Sequence, residues 1–267
     1  MSRKPVTDAT NLLSATLLDM MRNERLEGRI FDTAPKVLIA CMPKSGSTWF
    51  TAILERGLGL PLMRGYAQPD RNEQEFDTLA LFQSMGREVI FAQQHVRASS
   101  TTLRLCRAFS VKAICLTRHI DDAIVSFRDH LENESTVASM FYMEPEWFRR
   151  LPRVRQLDFL IDHCLPWYLN FSVGWFRAAQ SAPDMILPVQ YEQLVSDPPA
   201  VVDQVSKFLG RPLGIDAPSL QLHDGVRFNQ GRVGRGKEEL TSEQRQRITS
   251  LAGYYDQIDL SLIGLNS

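Results

Sequence analysis

The sequence predicts an α/β fold in which short apolar strands alternate with helices. Four apolar runs of strand length lie at residues 37–41, 89–92, 111–117 and 185–189, and helix-spaced apolar positions follow the first and third runs. The chain has 267 residues, of which 44% are hydrophobic, enough to bury a sizeable core. We therefore expect a single α/β domain over residues 1–267.

The net charge, the positions of the cysteines and the N-terminal region argue against several classes of protein. The net charge of −1 shows no global basic field, so we expect no nucleic-acid partner, and any anion site must be local. The four cysteines lie far apart and mostly in apolar runs, as reduced core thiols do. Residues 8–25 have the spacing of an amphipathic helix, and the N-terminal region resembles neither a signal peptide nor a membrane span. We expect a cytoplasmic protein with no membrane partner.

The stretch KVLIACMPKSGSTWFTAILERGLGL, residues 36–60, holds the strongest candidate for a binding site. Its apolar run predicts a buried strand, and helix-spaced apolar residues begin after Ser47. Gly46 allows a tight turn, and the amides of Lys44 to Thr48 would converge at the helix N-terminus, where the helix dipole favours an anion. We expect a phosphate there, although the same strand-turn-helix unit also occurs in doubly wound domains without a ligand.

Two later strands end in polar residues that could share an edge with Lys44. The second apolar run leads to His95, and ligands of open α/β sheets bind at the carboxyl ends of the strands. The third run leads to Arg118 and a helix that carries Ser126, and together they could hold a second phosphate. The alternative for His95 is a purely structural role, and the alternative for Arg118 is an ion pair with a nearby acidic residue.

The middle of the chain combines helices with irregular segments. Residues 61–77 are predicted to be irregular, and residues 78–85 to form a short helix. Residues 132–153 mix aromatic side chains with charges and prolines, and a segment of that length without a clear period is often a lid, so we expect it to cover a binding pocket. A helical pattern over residues 154–179 should break or kink at Pro166, with its aromatic residues in the core.

The last part of the chain contains the fourth strand, two helices and a glycine-rich loop. Residues 201–209 predict a helix that ends at Gly210. Residues 228–245, FNQGRVGRGKEELTSEQR, hold three glycines and four cations, and Thr241 with Gln244 forms a capping box that opens the last helix. Without a ligand, the glycine-rich part would be an ordinary flexible turn.

Several of these motifs resemble the sulfotransferase family. PKSGSTW resembles the family's 5′-phosphosulfate loop PKSGTTW, and it fits the G-x-x-x-x-G-K-[ST] loop of nucleotide kinases less well because its lysine precedes the glycine. RHIDDAIVS, residues 118–126, resembles R-N-P-x-D-x-x-x-S, with His119 and Ile120 in place of Asn-Pro. The YEQL segment that begins at Tyr191 resembles YEDL, in which the tyrosine approaches the adenine.

The glycine-rich loop matches the family only in part. Residues 228–237 resemble F-R-K-G-x-x-G-D-W-K, but Asn229 and Gln230 replace the Arg-Lys pair that normally touches the 3′-phosphate. Arg232 or Arg235 could restore the missing charge.

The resemblance implies a soluble, P-loop-like three-layer α/β fold with a central, mostly parallel sheet flanked by helices. It implies a sulfotransferase that uses 3′-phosphoadenosine 5′-phosphosulfate (PAPS) as co-substrate, releases 3′-phosphoadenosine 5′-phosphate (PAP) and needs no metal. The cofactor-binding residues that it implies are Lys44, Ser45, Gly46, Ser47, Thr48, Trp49, Arg118, Ser126, Tyr191, Phe228, Asn229, Gln230 and Gly231.

The resemblance also implies the catalytic roles. His95 stands where the family's catalytic histidine ends a K-T-H segment, so it would accept the proton of an acceptor hydroxyl. Lys44 would stabilise charge on the bridging oxygen of the leaving phosphate. Trp49 would stack on the adenine, with core packing as the alternative.

Two alternative functions stay open, and so does the acceptor. A P-loop nucleotide kinase would need magnesium and an acid at a strand end, whereas a non-catalytic nucleotide-binding protein could keep PKSGSTW and Arg118 without a working base. Aromatic residues at 141–148 favour a partly apolar small-molecule acceptor, although a sugar would also stack on them. The family's dimer segment is kept only in part, at Lys237 and Thr241, which leaves a homodimer open.

Overall fold

A five-stranded parallel sheet forms the centre of the structure. The computed structural model describes residues 30–65, 74–134, 140–215 and 232–265, so the predicted helix at 8–25 lies outside the described residues. The strands are β1 (Lys36–Cys41), β2 (Leu62–Met63), β3 (Val89–Gln94), β4 (Val111–Thr117) and β5 (Ile186–Gln190). They lie in the order β2-β3-β1-β4-β5, and every neighbouring pair is parallel. The predicted α/β fold with a mostly parallel sheet is confirmed.

Helices connect the strands and pack on both faces of the sheet. They are α1 (Ser47–Leu58), α2 (Thr78–Gln83), α3 (Ser100–Ala108), α4 (Ile120–Asn133), α5 (Pro145–Arg150), α6 (Arg153–His163), α7 (Leu165–Ser181), α8 (Tyr191–Ser196), α9 (Pro198–Leu209), α10 (Arg235–Glu239) and α11 (Ser242–Ala252). Alternate residues of β1 enter two separate hydrophobic cores. Leu38 and Ala40 belong to the first core, and Ile39 and Cys41 belong to the second. Because side chains alternate across a strand, these cores lie on opposite faces, which gives the three layers.

Most predicted elements occur close to their expected positions, but the short elements β2, α3, α5, α8 and α10 were missed. The strand at 111–117 is exact, and the helix at 201–209 begins only three residues earlier and ends at Gly210, which has a left-handed φ of 73°. The expectation that residues 61–77 are irregular was wrong in part, because β2 pairs there with β3. Two residues are too few for a strand to show a periodic pattern. Helix α3 was also missed, because threonine and arginine residues dilute its apolar pattern.

The long helical pattern divides where proline was expected to break it. Helix α6 ends at His163 and α7 begins at Leu165. Pro166 lies in the first turn of α7, where its missing amide hydrogen costs no hydrogen bond. Residues 132–153 contain α5 and a completely buried Phe148, so this part of the chain is anchored to the core and is not wholly a loop.

All four cysteines lie in the described part of the chain, where they are buried and form no disulfide, as expected. Burial raises the pKa of the Cys106 thiol to about 12, which keeps it protonated and unreactive at neutral pH. Within the described ranges, no helix is long and apolar enough to cross a membrane. The cytoplasmic location, the single domain and the homodimer stay predictions.

Candidate functional site

Four loops at the carboxyl ends of neighbouring strands form the candidate site. The loop with Lys44 follows β1, His95 follows β3, Arg118 follows β4, and Tyr191 follows β5. Since these strands are parallel and adjacent, the four residues share one edge of the sheet. The sequence predicted this edge for Lys44, His95 and Arg118.

The loop between β1 and α1 is held through its carbonyl groups. The Tyr168 hydroxyl donates to the Pro43 carbonyl at 3.2 Å, and the Arg118 Nη1 donates to the Lys44 carbonyl at 3.0 Å. The hydroxyl and the amide of Ser45 both donate to the Met42 carbonyl, at 2.7 and 3.2 Å. Ser45 therefore shapes the loop, and its predicted contact with a phosphate would require one of these bonds to be exchanged.

Gly46 opens α1 in a conformation that suits glycine. Its φ is 81°, in the left-handed region that residues with a Cβ rarely adopt. A Cβ at this position would also lie 2.5 Å from the ring of Tyr191. No side chain caps α1, and its first turn has no acidic residue, so the helix itself supplies no carboxylate to offset the positive end of its dipole.

His95 is placed by an irregularity in the sheet. The register between β1 and β3 shifts after Leu38, so that β3 contains one extra residue just before His95. The His95 Nδ1 lies 2.8 Å from the Cys41 carbonyl oxygen. Because a carbonyl only accepts, this contact places the proton of a neutral imidazole on Nδ1 and the lone pair on Nε2. The ring of Trp167 stands perpendicular to the imidazole at 6.2 Å.

Arg118 is a buried cation, only 4% exposed, and its side chain binds carbonyls. Besides the Lys44 carbonyl, its guanidinium donates to the Arg232 carbonyl at 3.2 Å and lies over the Tyr191 ring. Within the described part of the chain no carboxylate pairs with it, and its Nε is buried without a hydrogen bond. The pairing with an acid that we considered as the alternative is therefore not observed, and the buried charge suits an anionic ligand.

A comparison with known protein families shows which family the chain belongs to. The model of the sulfotransferase domain matches residues 34–253, which is well over half of the chain. The chain belongs to the sulfotransferase family. A curated relative, flavonol 3-sulfotransferase of Flaveria bidentis, is 24% identical over 206 residues, which cover 71% of this chain and 63% of that protein. The match thus spans less than two thirds of the relative's length.

A solved sulfotransferase shares the fold. The crystal structure of mouse sulfotransferase SULT7A1 complexed with PAP superposes with a TM-score of 0.59 at 15% identity, covering 85% of this chain and 86% of that one. This likeness supports the P-loop-like sulfotransferase fold for the whole described sheet.

Two side chains that are predicted to bind the ligand, Ser126 and Trp49, are buried. Ser126 lies inside α4 and is only 2% exposed. Trp49 packs in the core beside Ile53, and its Nε1 is buried with no partner in the described part of the structure. Core packing is therefore the role that the structure shows for Trp49, and stacking on adenine stays a prediction.

The glycine-rich loop is only partly described. Phe228, Asn229, Gln230 and Gly231 lie outside the described residues. Arg235 is unsuited to replace the missing cationic pair, because it is buried between Asp129 at 2.7 Å and Glu239 at 2.8 Å. The Arg232 side chain pairs with Glu238 at the surface.

Asp122 joins this loop to α4, a role that the sequence did not reveal. One of its carboxylate oxygens accepts from the Gly234 amide and the other from the Gly236 amide, both at 2.7 Å. Gly236 also approaches so closely that a Cβ there would lie 2.3 Å from the Asp121 side chain. These contacts bring the Arg232 carbonyl to Arg118. The aspartate was visible in the RHIDDAIVS motif, but its partners are more than a hundred residues away.

The sequence analysis assigned no role to two further carboxylates near the site, Glu192 and Glu134. Glu192 accepts from the His119 amide at 3.0 Å, and burial raises the pKa of its carboxyl despite that hydrogen bond. Glu134 lies 3.9 Å from the Lys44 ammonium. Among the described residues, no group of three or more His, Cys, Asp or Glu side chains is arranged to hold a metal ion.

Proposed function

We propose that this sulfotransferase moves a sulfuryl group from PAPS to a hydroxyl of a small-molecule acceptor. The observation that carries the proposal is the hydrogen bond from His95 Nδ1 to the Cys41 carbonyl at 2.8 Å. This hydrogen bond leaves Nε2 able to accept a proton, and it does so at the same edge of the sheet as the loop that contains Lys44. Membership of the family supports PAPS as the donor, and PAP is the molecule bound in the mouse relative.

The residues of the site fit the two anionic ends of PAPS. Arg118, with a buried guanidinium that no described carboxylate neutralises, would hold the 3′-phosphate together with the Ser126 hydroxyl. The uncapped start of α1 would hold the 5′-phosphate through loop amides and Thr48. Tyr191, already stacked under Arg118, would lie close to the adenine side of the nucleotide.

The proposed reaction needs one proton transfer and one displacement. The acceptor oxygen attacks sulfur while the bond between sulfur and the bridging phosphate oxygen breaks, and His95 Nε2 takes the acceptor proton. The Cys41 carbonyl, by accepting from Nδ1, stabilises the imidazolium that forms. Lys44 would stabilise the negative charge that develops on the bridging oxygen. The sulfuryl group carries less negative charge than a phosphoryl group, so the mechanism does not require magnesium.

The acceptor is proposed to be a partly apolar molecule with a hydroxyl group. The ring of Trp167 stands beside His95, and an aromatic cluster around Phe141 and Phe159 lies in and beside the segment expected to cover the pocket. The relative from Flaveria bidentis is a flavonol 3-sulfotransferase, which supports an aromatic alcohol as the first class of acceptor to test.

Calorimetry followed by a transfer assay tests the proposal. The purified protein is titrated with PAP and with ADP, both without magnesium, and sulfate transfer from PAPS to a panel of phenols, flavonols and sugars is then measured. We expect a clear preference for PAP and transfer to a phenolic acceptor. Equal binding of ADP, or a need for magnesium and ATP, would favour the kinase alternative, and PAP binding without transfer to any acceptor would favour a non-catalytic protein.

A further inference from the structure

A carboxylate that the proposed reaction does not use lies next to Lys44. The Glu134 Oε2 is 3.9 Å from the Lys44 Nζ, and the same oxygen accepts from the His130 Nδ1 at 2.9 Å. The side chains of Lys44 and Glu134 are 19% and 30% exposed, so water screens this pair less than it would at an open surface.

Glu134 is held in place by its position at the end of α4. Its amide donates to the His130 carbonyl at 2.8 Å, which closes the last turn of the helix. His130 in turn stacks on the ring of Phe127, a core residue, with centroids 6.1 Å apart. The carboxylate is therefore supported by a residue that is itself packed, one turn earlier in the same helix.

We propose that Glu134 is a positioning residue that holds the Lys44 ammonium in the ligand-free protein and competes for it with the donor. The proposal rests on the function proposed above, in which Lys44 meets the 5′-phosphosulfate. A carboxylate and the donor are both anions, so the donor must weaken the ion pair when it binds. Glu134 thereby lowers the affinity for the donor, and it acts through Lys44.

The first test is calorimetry with PAP at low ionic strength. Glu134→Gln removes the charge but keeps the shape and an oxygen that can accept from His130. We expect PAP to bind Glu134→Gln roughly threefold to tenfold more tightly than the parent. Glu132→Gln is the matched control, because it makes the same charge change on the same helix but at a carboxylate that accepts from Gln156. It should bind PAP as the parent does.

The second test repeats the substitution without the lysine. In a Lys44→Met background, Glu134→Gln should leave PAP affinity unchanged, because the competition has been removed. A gain as large as in the parent background would mean that Glu134 repels the donor directly and would overturn the proposal. PAP binding by the parent with no gain in Glu134→Gln would overturn this proposal alone. Failure of the folded parent to bind PAP would overturn the proposed function and, with it, this inference.

Discussion

The guanidinium of Arg118 lies over the ring of Tyr191, 4.6 Å from its centroid. The edge of the same ring occupies the space where a side chain on Gly46 would begin. One aromatic ring thus packs against both the loop proposed to bind the 5′-phosphate and the arginine proposed to bind the 3′-phosphate. Burial raises the pKa of the Tyr191 hydroxyl, although Arg118 opposes the shift, so the ring stays neutral under the cation at physiological pH.

The contact between Gly46 and Tyr191 predicts a large loss of stability for Gly46→Ala. The new Cβ would both strain a φ of 81° and collide with a buried ring, so we expect a loss of roughly 2–4 kcal/mol in the free energy of unfolding. Gly59→Ala is the control. Its φ of 63° is also left-handed, but no atom lies within 4 Å of the new Cβ, so only about 1 kcal/mol should be lost. Equal losses in urea unfolding would show that the collision with Tyr191 is not the cause.

Substituting Arg118 should weaken the binding of ligands that carry a 3′-phosphate. Arg118→Lys keeps the charge but loses the planar fork, so we expect PAP to bind about 10- to 100-fold more weakly. Adenosine 5′-phosphate lacks the 3′-phosphate and serves as the control ligand in the same titration. If its affinity fell by the same factor as that of PAP, the assignment of Arg118 to the 3′-phosphate would be wrong.

Removing the proposed base should slow the reaction and leave nucleotide binding intact. For His95→Ala we expect turnover with PAPS to fall about 10²- to 10⁴-fold, the usual contribution of a general base. PAP affinity and the melting temperature should stay close to those of the parent, which separates loss of chemistry from loss of the fold. Turnover at the parent rate would remove His95 from the mechanism.

The two acidic residues in the first turn of α4 should respond in opposite directions when they are neutralised. Asp122→Asn cannot accept from both the Gly234 and Gly236 amides, so we expect a loss of about 1.5–3 kcal/mol in the free energy of unfolding and weaker PAP binding. Burial, with the neighbouring Asp122 charge, raises the pKa of the Asp121 carboxyl above its ordinary value of about 3.8. Asp121→Asn should therefore be as stable as the parent or more stable at pH 7.

The effect at Asp121 has a defined pH dependence. A carboxyl with a raised pKa favours the folded state fully below about pH 3.8, and this contribution is lost as the pH rises through the folded-state pKa. The stability of Asp121→Asn relative to the parent should therefore increase between pH 3.8 and neutral pH. A constant difference in thermal unfolding across that range would contradict the raised pKa.

The sequence by itself determined the elements that depend on near neighbours in the chain. The apolar runs of β1 and β4, the tight turn at Gly46 and the division of the long helix near Pro166 all follow from local backbone geometry and periodicity. The capping box is equally local, since Thr241 and Gln244 satisfy each other's amides within four residues. The order of motifs along the chain was sufficient to indicate the family.

Only the tertiary structure decided which groups meet at the site. The contacts of His95 with the Cys41 carbonyl and of Arg118 with the Lys44 and Arg232 carbonyls join residues 54, 74 and 114 positions apart. The same holds for Glu134 beside Lys44, and for the two-residue strand β2, which exists only because β3 offers it a partner. Such contacts depend on how the parallel strands are ordered and on which side chains burial brings together. A local sequence pattern encodes neither the order of the strands nor these contacts. A hydrogen bond or an ion pair between distant residues does not impose any periodicity on the residues that lie between them in the chain.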